Sequence, residues 1–519
     1  EPNTILASLA ALPGSSWSFD TKLVQNSFLG RADWQLTPND HLTYRASYWD
    51  WGNDFTQVAG TEHPSQAAAR YRKAINMVGT WAKVLSSRTL QEVKVGYTHF
   101  DWQNLLAVPA LANTPNYVFH GGVIFGQRRN YPQEFFQNTI SARYDLTMTA
   151  GRHDMKFGGE FLRWHDTGQW QLLSRGEYIF TATPADLARR FPIDAWNDPS
   201  RWDVTGLDSI VQRFDQNFGD WTIDIPRPTW ALWFGDTWRM GEQFTVNYGI
   251  RWDADWGALD PPHITTQATF DPAPGWTYPG LGLEPGAKLY PNNLRDIGSV
   301  APRGGFTWNV GGNGDLVVRG GSGLYYSIPD SNTTFSIQSF NGERILVNSF
   351  ANDGQPGFIQ NPTRGRTPED FLSGRAPVPP QGPRVIAHDY QMPSTWQSII
   401  GMQKQIGSQL GFEADLTHWK GYNFARQRDP NLFFNPATGY NRNPAQGRPD
   451  PKYGQIQWLE SNGRADYAAI SSGLNRRYAN NWQASMSYTY MLFMRDNTNG
   501  FQSQGNNPFD PEAEWSRST

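Results

Sequence analysis

Cysteine is absent from the 519 residues, which excludes disulfides, thiolate metal sites and thiol nucleophiles. That lack fits an oxidising compartment. No window approaches about 18 consecutive apolar residues, and mean hydropathy is −0.61, so a helical membrane span is excluded too. Strands can still cross a bilayer. A barrel strand needs only about 9 to 11 residues with every second one apolar, a pattern that hydropathy averages away. An excess of positive charge is also missing: formal net charge is −4 and the pI is near 6.2. Nucleic acid is therefore not expected as a partner. Glu1 and Pro2 open the chain without an initiator Met, a basic stretch or an apolar stretch. A signal peptide is expected to have been removed or to lie outside this sequence.

What is present in quantity is aromatic. Phe, Tyr and Trp make up 14% of a chain that is only 38% hydrophobic, with 23 Trp, and such a load requires a structural reason. The chain reads as strand pairs joined by short polar turns, with loops rich in Gly, Pro, Asn and Asp between the pairs. Seven pairs are expected: 27–34 with 42–50, 69–85 with 90–102, 136–148 with 155–166, 229–240 with 244–256, 301–310 with 316–327, 395–406 with 410–420 and 467–478 with 482–494. Within them the side chains alternate. Phe244, Val246, Tyr248, Ile250 and Trp252 share one face, and Thr245, Asn247, Gly249 and Arg251 share the other. Trp482, Ala484, Met486, Tyr488 and Tyr490 oppose Gln483, Ser485, Ser487 and Thr489 in the same way.

Alternation alone fits a soluble sandwich as well as a membrane barrel. Three further features favour the barrel, in which the apolar face meets lipid and the polar face lines the lumen. The strands run to about 10 to 13 residues, right for a tilted crossing. Connections are roughly 3 to 5 residues on one side and about 20 to 65 on the other, as for short periplasmic turns and long extracellular loops. Aromatics gather near strand ends, as at Tyr48, Trp49 and Trp51, at Trp252 and Trp256, at Tyr325 and Tyr326, and at Trp482. The expected fold is therefore an all-β, antiparallel, closed transmembrane barrel of the outer-membrane type. At least fourteen strands are visible. The long loops 331–392 and 421–464 contain aromatics and are expected to be partly ordered, and 184–190 is expected to form a short helix.

Few motifs rise above that architecture. Arg251, Arg319 and Asn247 are expected to face the lumen, where structural ladders are the first reading and contact with a ligand or plug the second. Gly311-Gly312-Asn313-Gly314-Asp315 has the composition of a phosphate loop, but no Lys-Ser/Thr or helix follows, so it is expected to be a hairpin turn. Asp496 and Asn499 resemble the start of an oxygen-ligand calcium loop without its closing Glu, which makes calcium in the loops an alternative to a solvated loop. No other metal or cofactor is expected, and no nucleophile can be picked out. Trp170, Trp196, Trp202, Trp221 and Trp276 offer rigid faces on which a sugar or aromatic chelate can stack; packing within the loops is the plainer reading.

Five stretches carry a family resemblance. They are FLGRADWQLTPNDHLTYRASY (28–48), WFGDTWRMGEQFTVNYGIRWD (233–253), APRGGFTWNVGGNGDLVVRGGSGLYY (301–326), PSTWQSIIGMQKQIGSQLGFEADLTHWKG (393–421) and YAAISSGLNRRYANNWQASMSYTYM (467–491). In combination the chain resembles the Oar-like TonB-dependent receptors. The resemblance implies an N-terminal regulatory-like domain, a plug and a barrel of about 22 strands. Neither plug nor regulatory-like domain is visible, so residues 1–519 are expected to be a partial barrel domain, cut at both ends.

The resemblance also implies a function. It is an outer-membrane receptor that binds a scarce solute, glycan or peptide through its loops, with lipid around it and the TonB complex as partner where a plug is present. The mechanism would be conformational and not enzymatic. A non-energised porin or adhesion barrel is the first alternative. A soluble Trp-rich carbohydrate-active enzyme is the second; it needs a carboxylate pair facing a cleft, and no pair stands out.

Overall fold

The computed structural model describes residues 21–56, 62–256, 268–276, 283–290, 295–327, 331–433, 447–498 and 510–517. All seven hairpins form. They are β1 (Leu23–Thr37) with β2 (Asp40–Thr56), β3 (Ala68–Ser86) with β4 (Thr89–Leu106), β5 (Gln133–Ala150) with β6 (His153–Trp170), and β7 (Thr222–Arg239) with β8 (Phe244–Trp256). After these come β9 (Arg295–Val310) with β10 (Leu316–Tyr326), β11 (Ser394–Ile406) with β12 (Leu410–Arg428), and β13 (Gln457–Ala479) with β14 (Trp482–Asp496). Each strand pairs antiparallel with its neighbours in chain order within one sheet. Short connections such as 38–39 and 311–315 lie at one end of that sheet, and all the long ones lie at the other. The 311–315 segment is the expected turn, with Gly311, Gly312 and Gly314 at φ between 74° and 80°. Asn480 and Asn481, both at positive φ, make the two-residue turn of β13 and β14.

Register shows why alternation sorts the faces. Trp238, Val246, Phe306, Gly320, Ile400, Leu416, Ile470 and Tyr490 stand opposite one another on eight successive strands. The adjacent row, Thr245, Thr307, Arg319, Gly401, Asp415, Ser471 and Thr489, points to the other face. Among the described residues no second layer covers this apolar face: Tyr248 is 42% exposed, Ile250 48% and Ile400 52%. A sandwich would bury such side chains. At the turn end of this face Trp34, Trp81, Trp238, Trp308 and Trp482 lie close to the short turns, as an interfacial girdle requires.

Two expectations change. The strands run from 11 to 23 residues, longer than expected. The added residues lie mostly at the loop end, as at 222–228 of β7 and 457–466 of β13, where the wall rises beyond the alternating zone and period-two hydropathy is no longer required. Pro226 and Pro228 of β7 are tolerated there because β8 begins to pair only at Thr229. The sheet also does not close: among the described residues β1 and β14 remain its two edges. At the loop end of β14 a two-residue strand, Ser516–Arg517, begins to pair antiparallel with it, but the rest of that edge carries no partner strand among the described residues.

The loops fold into a cap with its own core. Asn116–Val118, Ile124–Gly126, Glu177–Phe180, Val211–Gly219 and Ile345–Ala351 form a five-stranded sheet drawn from three different loops. Phe119, Phe125, Tyr178, Phe180, Phe191 and Phe358 are buried beneath it. Leu187–Arg190 is helical as expected, and the 331–392 loop contributes the helix Ser331–Ser339. A second cluster, around Phe270, Tyr290, Ile337, Val385 and Trp458, joins the later loops.

Candidate ligand cavity and lumen wall

Arg251, Asn247 and Arg319 all lie on the polar face. Arg251 on β8 is 2.9 Å from Asp253 and 3.4 Å from Glu160. Its guanidinium lies 5.1 Å from the Trp233 ring, and Arg143 of β5 lies 4.7 Å from the same ring. Arg143 in turn pairs with Asp145, which also accepts Lys156 at 3.3 Å and is almost fully buried. The indole fits because position 158 is glycine: a Cβ there would lie 2.2 Å from it. Arg319 pairs with Asp415 at 3.0 Å across Gly401, whose own Cβ would lie 1.8 Å from the Asp415 carboxylate. Asn247 accepts the Thr237 hydroxyl at 2.8 Å. These residues form charge-balanced ladders that stiffen the wall, with cation–π contacts contributing about 0.5–1 kcal/mol each at exposed sites.

A cavity of about 750 Å³ opens higher on the same face, between the loop ends of β4 to β7 and the helix Ser331–Ser339. Its apolar walls include Phe100, Trp102, Phe135, Trp170, Ile223 and Phe335. The rings brace one another: Trp102 to Phe135 is 5.2 Å between centroids, Phe135 stacks on Phe335 at 4.8 Å, and Trp170 meets Phe335 edge-on at 6.4 Å. Arg72 covers the Trp102 ring at 4.5 Å. Polar groups are interleaved with these rings, and several are held in place. Asp166 accepts Arg227 at 2.7 Å and the Gln137 amide at 2.8 Å, and Arg227 also donates to the Ser331 hydroxyl. Burial lowers the Arg384 guanidinium to about 10, which keeps it a cation in the cavity wall at neutral pH. A concavity of this size that combines aromatic walls with fixed polar groups can hold a small ligand and orient it.

Of the five loop tryptophans, Trp170 alone lines this cavity, and it ends β6 instead of lying in a loop. Trp202 packs on Phe191 and donates to the Ala195 carbonyl at 2.9 Å. Trp196 meets Phe55 edge-on, Trp221 lies against the Trp170 cluster, and Trp276 packs on Phe270 while donating to the Pro430 carbonyl. Asp496 ends β14 and accepts the Thr498 hydroxyl, whereas Asn499 lies outside the described residues. Among the described residues no group of three or more His, Asp or Glu is arranged to hold a metal ion.

Sequence reasoning passed over Trp102, Phe135 and Phe335. The first two had a signal, because they continue the polar-face parity of β4 and β5 with aromatic residues. Phe335 had none, since only the loop fold brings it to the wall.

Solved structures share this architecture. The outer membrane transporter YddB from Escherichia coli aligns with TM-score 0.57 at 11% identity, over 94% of this chain and 50% of that one. P. aeruginosa FpvA, solved with heterologous pyoverdines, gives 0.51 at 11% over 96% and 57%. The copper transporter OprC gives 0.50 at 12% over 92% and 54%. The chain thus spans about half the length of the solved structures it matches. No curated protein matches its sequence. A family model described as "Outer membrane beta barrel domain" matches residues 2–519. On that match the chain belongs to the outer membrane beta barrel domain family, and its place is the bacterial outer membrane.

Proposed function

We propose that this chain is the wall and loop cap of a TonB-dependent receptor of the Oar-like kind, and that a small solute is captured in the cavity bounded by Trp102, Phe135, Trp170 and Phe335. The cavity itself carries the reading: rigid aromatic faces and fixed amide, carboxylate and guanidinium groups lie on the lumen side of the rim, where a solute enters. Support comes from the fold likeness to YddB, FpvA and OprC, which are a transporter, a pyoverdine-binding protein and a copper transporter. On this reading residues 1–519 are part of a longer chain whose plug and remaining strands complete the barrel, with further strands starting where Ser516–Arg517 meets β14. Solute capture reorganises loops, and the TonB complex drives release into the periplasm with no covalent step.

The test uses the protein in detergent, with tryptophan fluorescence as readout and four probes: a ferric catecholate, cobalamin, a maltooligosaccharide and a tripeptide. At least one is expected to quench with a Kd below about 1 mM, and W102A with F135A is expected to weaken it by about tenfold or more. Silence from all four probes, or an unchanged Kd in the variant, overturns the assignment of the cavity. Uptake that persists in cells lacking the inner-membrane energy complex would favour a passive porin.

A further inference from the structure

We propose that Arg303 forms an oxyanion site in the lumen wall, for the carboxylate or phosphate group of a small solute. A cavity of about 730 Å³ lies against the wall below the rim and reaches from β5 to β12. Four cations line it: Arg143, Lys156, Arg251 and Arg303. The first two share Asp145, and Arg251 is held by Asp253 and Glu160. Arg303 differs: among the described residues no carboxylate lies within ion-pair distance of it, and its side chain is exposed. Its guanidinium is nevertheless placed, 4.2 Å from the centroid of the Tyr325 ring.

The placement has a cause in the wall. A Cβ at position 323 would come within 2.8 Å of the Arg303 Cγ, so Gly323 lets the arginine stem lie flat across β10 and reach Tyr325. A stacked guanidinium uses its face on the ring, while its in-plane N–H donors stay available to a planar or tetrahedral oxyanion. Gln397, directly across from Gly323 on β11, also lines the cavity and adds an amide donor. In the adjacent row Gly305 faces Gly321, which leaves bare backbone and room for the solute body. A second cavity, of about 230 Å³, is also bounded by Arg303, Tyr325 and Arg251. Arg303 thus stands where the two spaces meet. A neutral solute would gain only ordinary hydrogen bonds from this cation. An anion gains a charge-assisted, geometrically matched partner whose side-chain ordering has already been supplied by the stack.

The site is independent of what the rim cavity takes, and its test uses different probes. The folded protein in detergent is titrated calorimetrically with inorganic phosphate and, separately, with citrate, which distinguishes phosphate from carboxylate. Binding of at least one anion with a Kd of about 1 mM or tighter is expected. R303Q should weaken it by about tenfold, and Y325L, which removes the stack and keeps the charge, by about threefold. K404Q, on the opposite face, should bind as the parent does. If R303Q fails to fold, Y325L carries the test. Absence of binding by both anions overturns the site, and so does a folded R303Q, or in its place Y325L, that binds as tightly as the parent.

Discussion

At the scale of single residues, the polar face is organised by glycines that make room for large neighbours. Trp233 lies between two guanidinium groups because Gly158 has no side chain to occupy the space of its indole. The ring is rigid and held on both sides, so it cannot yield cheaply. G158A should cost about 1 to 3 kcal/mol, the usual range for overpacking, read as a lower urea midpoint with unchanged slope. The cost should largely vanish in a W233L background, since the clash then has no second partner. None of this is visible in the residue string, where Gly158 and Gly159 look alike. Only the register, which sets Gly158 opposite Trp233 and Gly159 opposite Leu232, separates them.

At the scale of the strand, alternation was enough to find all seven hairpins and to assign their faces. Arg251, Arg319 and Asn247 share the polar face of the sheet, for the period of two leaves no freedom once one residue is oriented. Strand ends were less legible. Above the lipid-facing zone the alternation changes sides: in Thr222–Pro228 the apolar Ile223 and Ile225 are buried on the side that is polar lower down, and the pairing that makes the segment strand comes from β6. The two faces make opposite demands on charge. Ile400, in the middle of the apolar row, should not tolerate arginine: I400R is expected to cost about 2 to 4 kcal/mol in a bilayer. T489R, on the polar face, should cost far less. Urea unfolding in lipid vesicles measures both, and equal costs would contradict the assignment of faces.

At the scale of the molecule, the loop cap is a folded unit whose parts are far apart in sequence. His63, beside the cap sheet, illustrates its dependence on burial. Its ring packs on Phe125 at 4.5 Å, its Nδ1 bonds the Ser65 hydroxyl, and burial lowers its pKa from 6.5 to about 3. The unfolded cap binds a proton below pH 6.5 and the folded cap does not. Stability is therefore full above that value and falls as pH drops toward 3, by about 1.4 kcal/mol per pH unit for this group alone. Near-ultraviolet circular dichroism between pH 7 and 4 should show the cap loosening, and H63Q should reduce that pH dependence. The five loop tryptophans belong to this scale too. Four of them pack against neighbouring side chains of the loops and strand ends, while the aromatic walls of the cavity come chiefly from strand-end residues and the helix Ser331–Ser339.

By itself the sequence determined the class of the molecule: strands, hairpins and the two chemistries of the sheet follow from local periodicity and turn chemistry, and its bilayer setting from strand length, loop asymmetry and the aromatics at strand ends. The tertiary structure alone decided which aromatics converge on a cavity, which arginines of the lower cavity are neutralised, that Arg303 there is stacked with no carboxylate beside it among the described residues, and that the described strands leave the sheet open. Those outcomes depend on register and on contacts between residues tens to hundreds of positions apart, and such contacts leave no period in the chain.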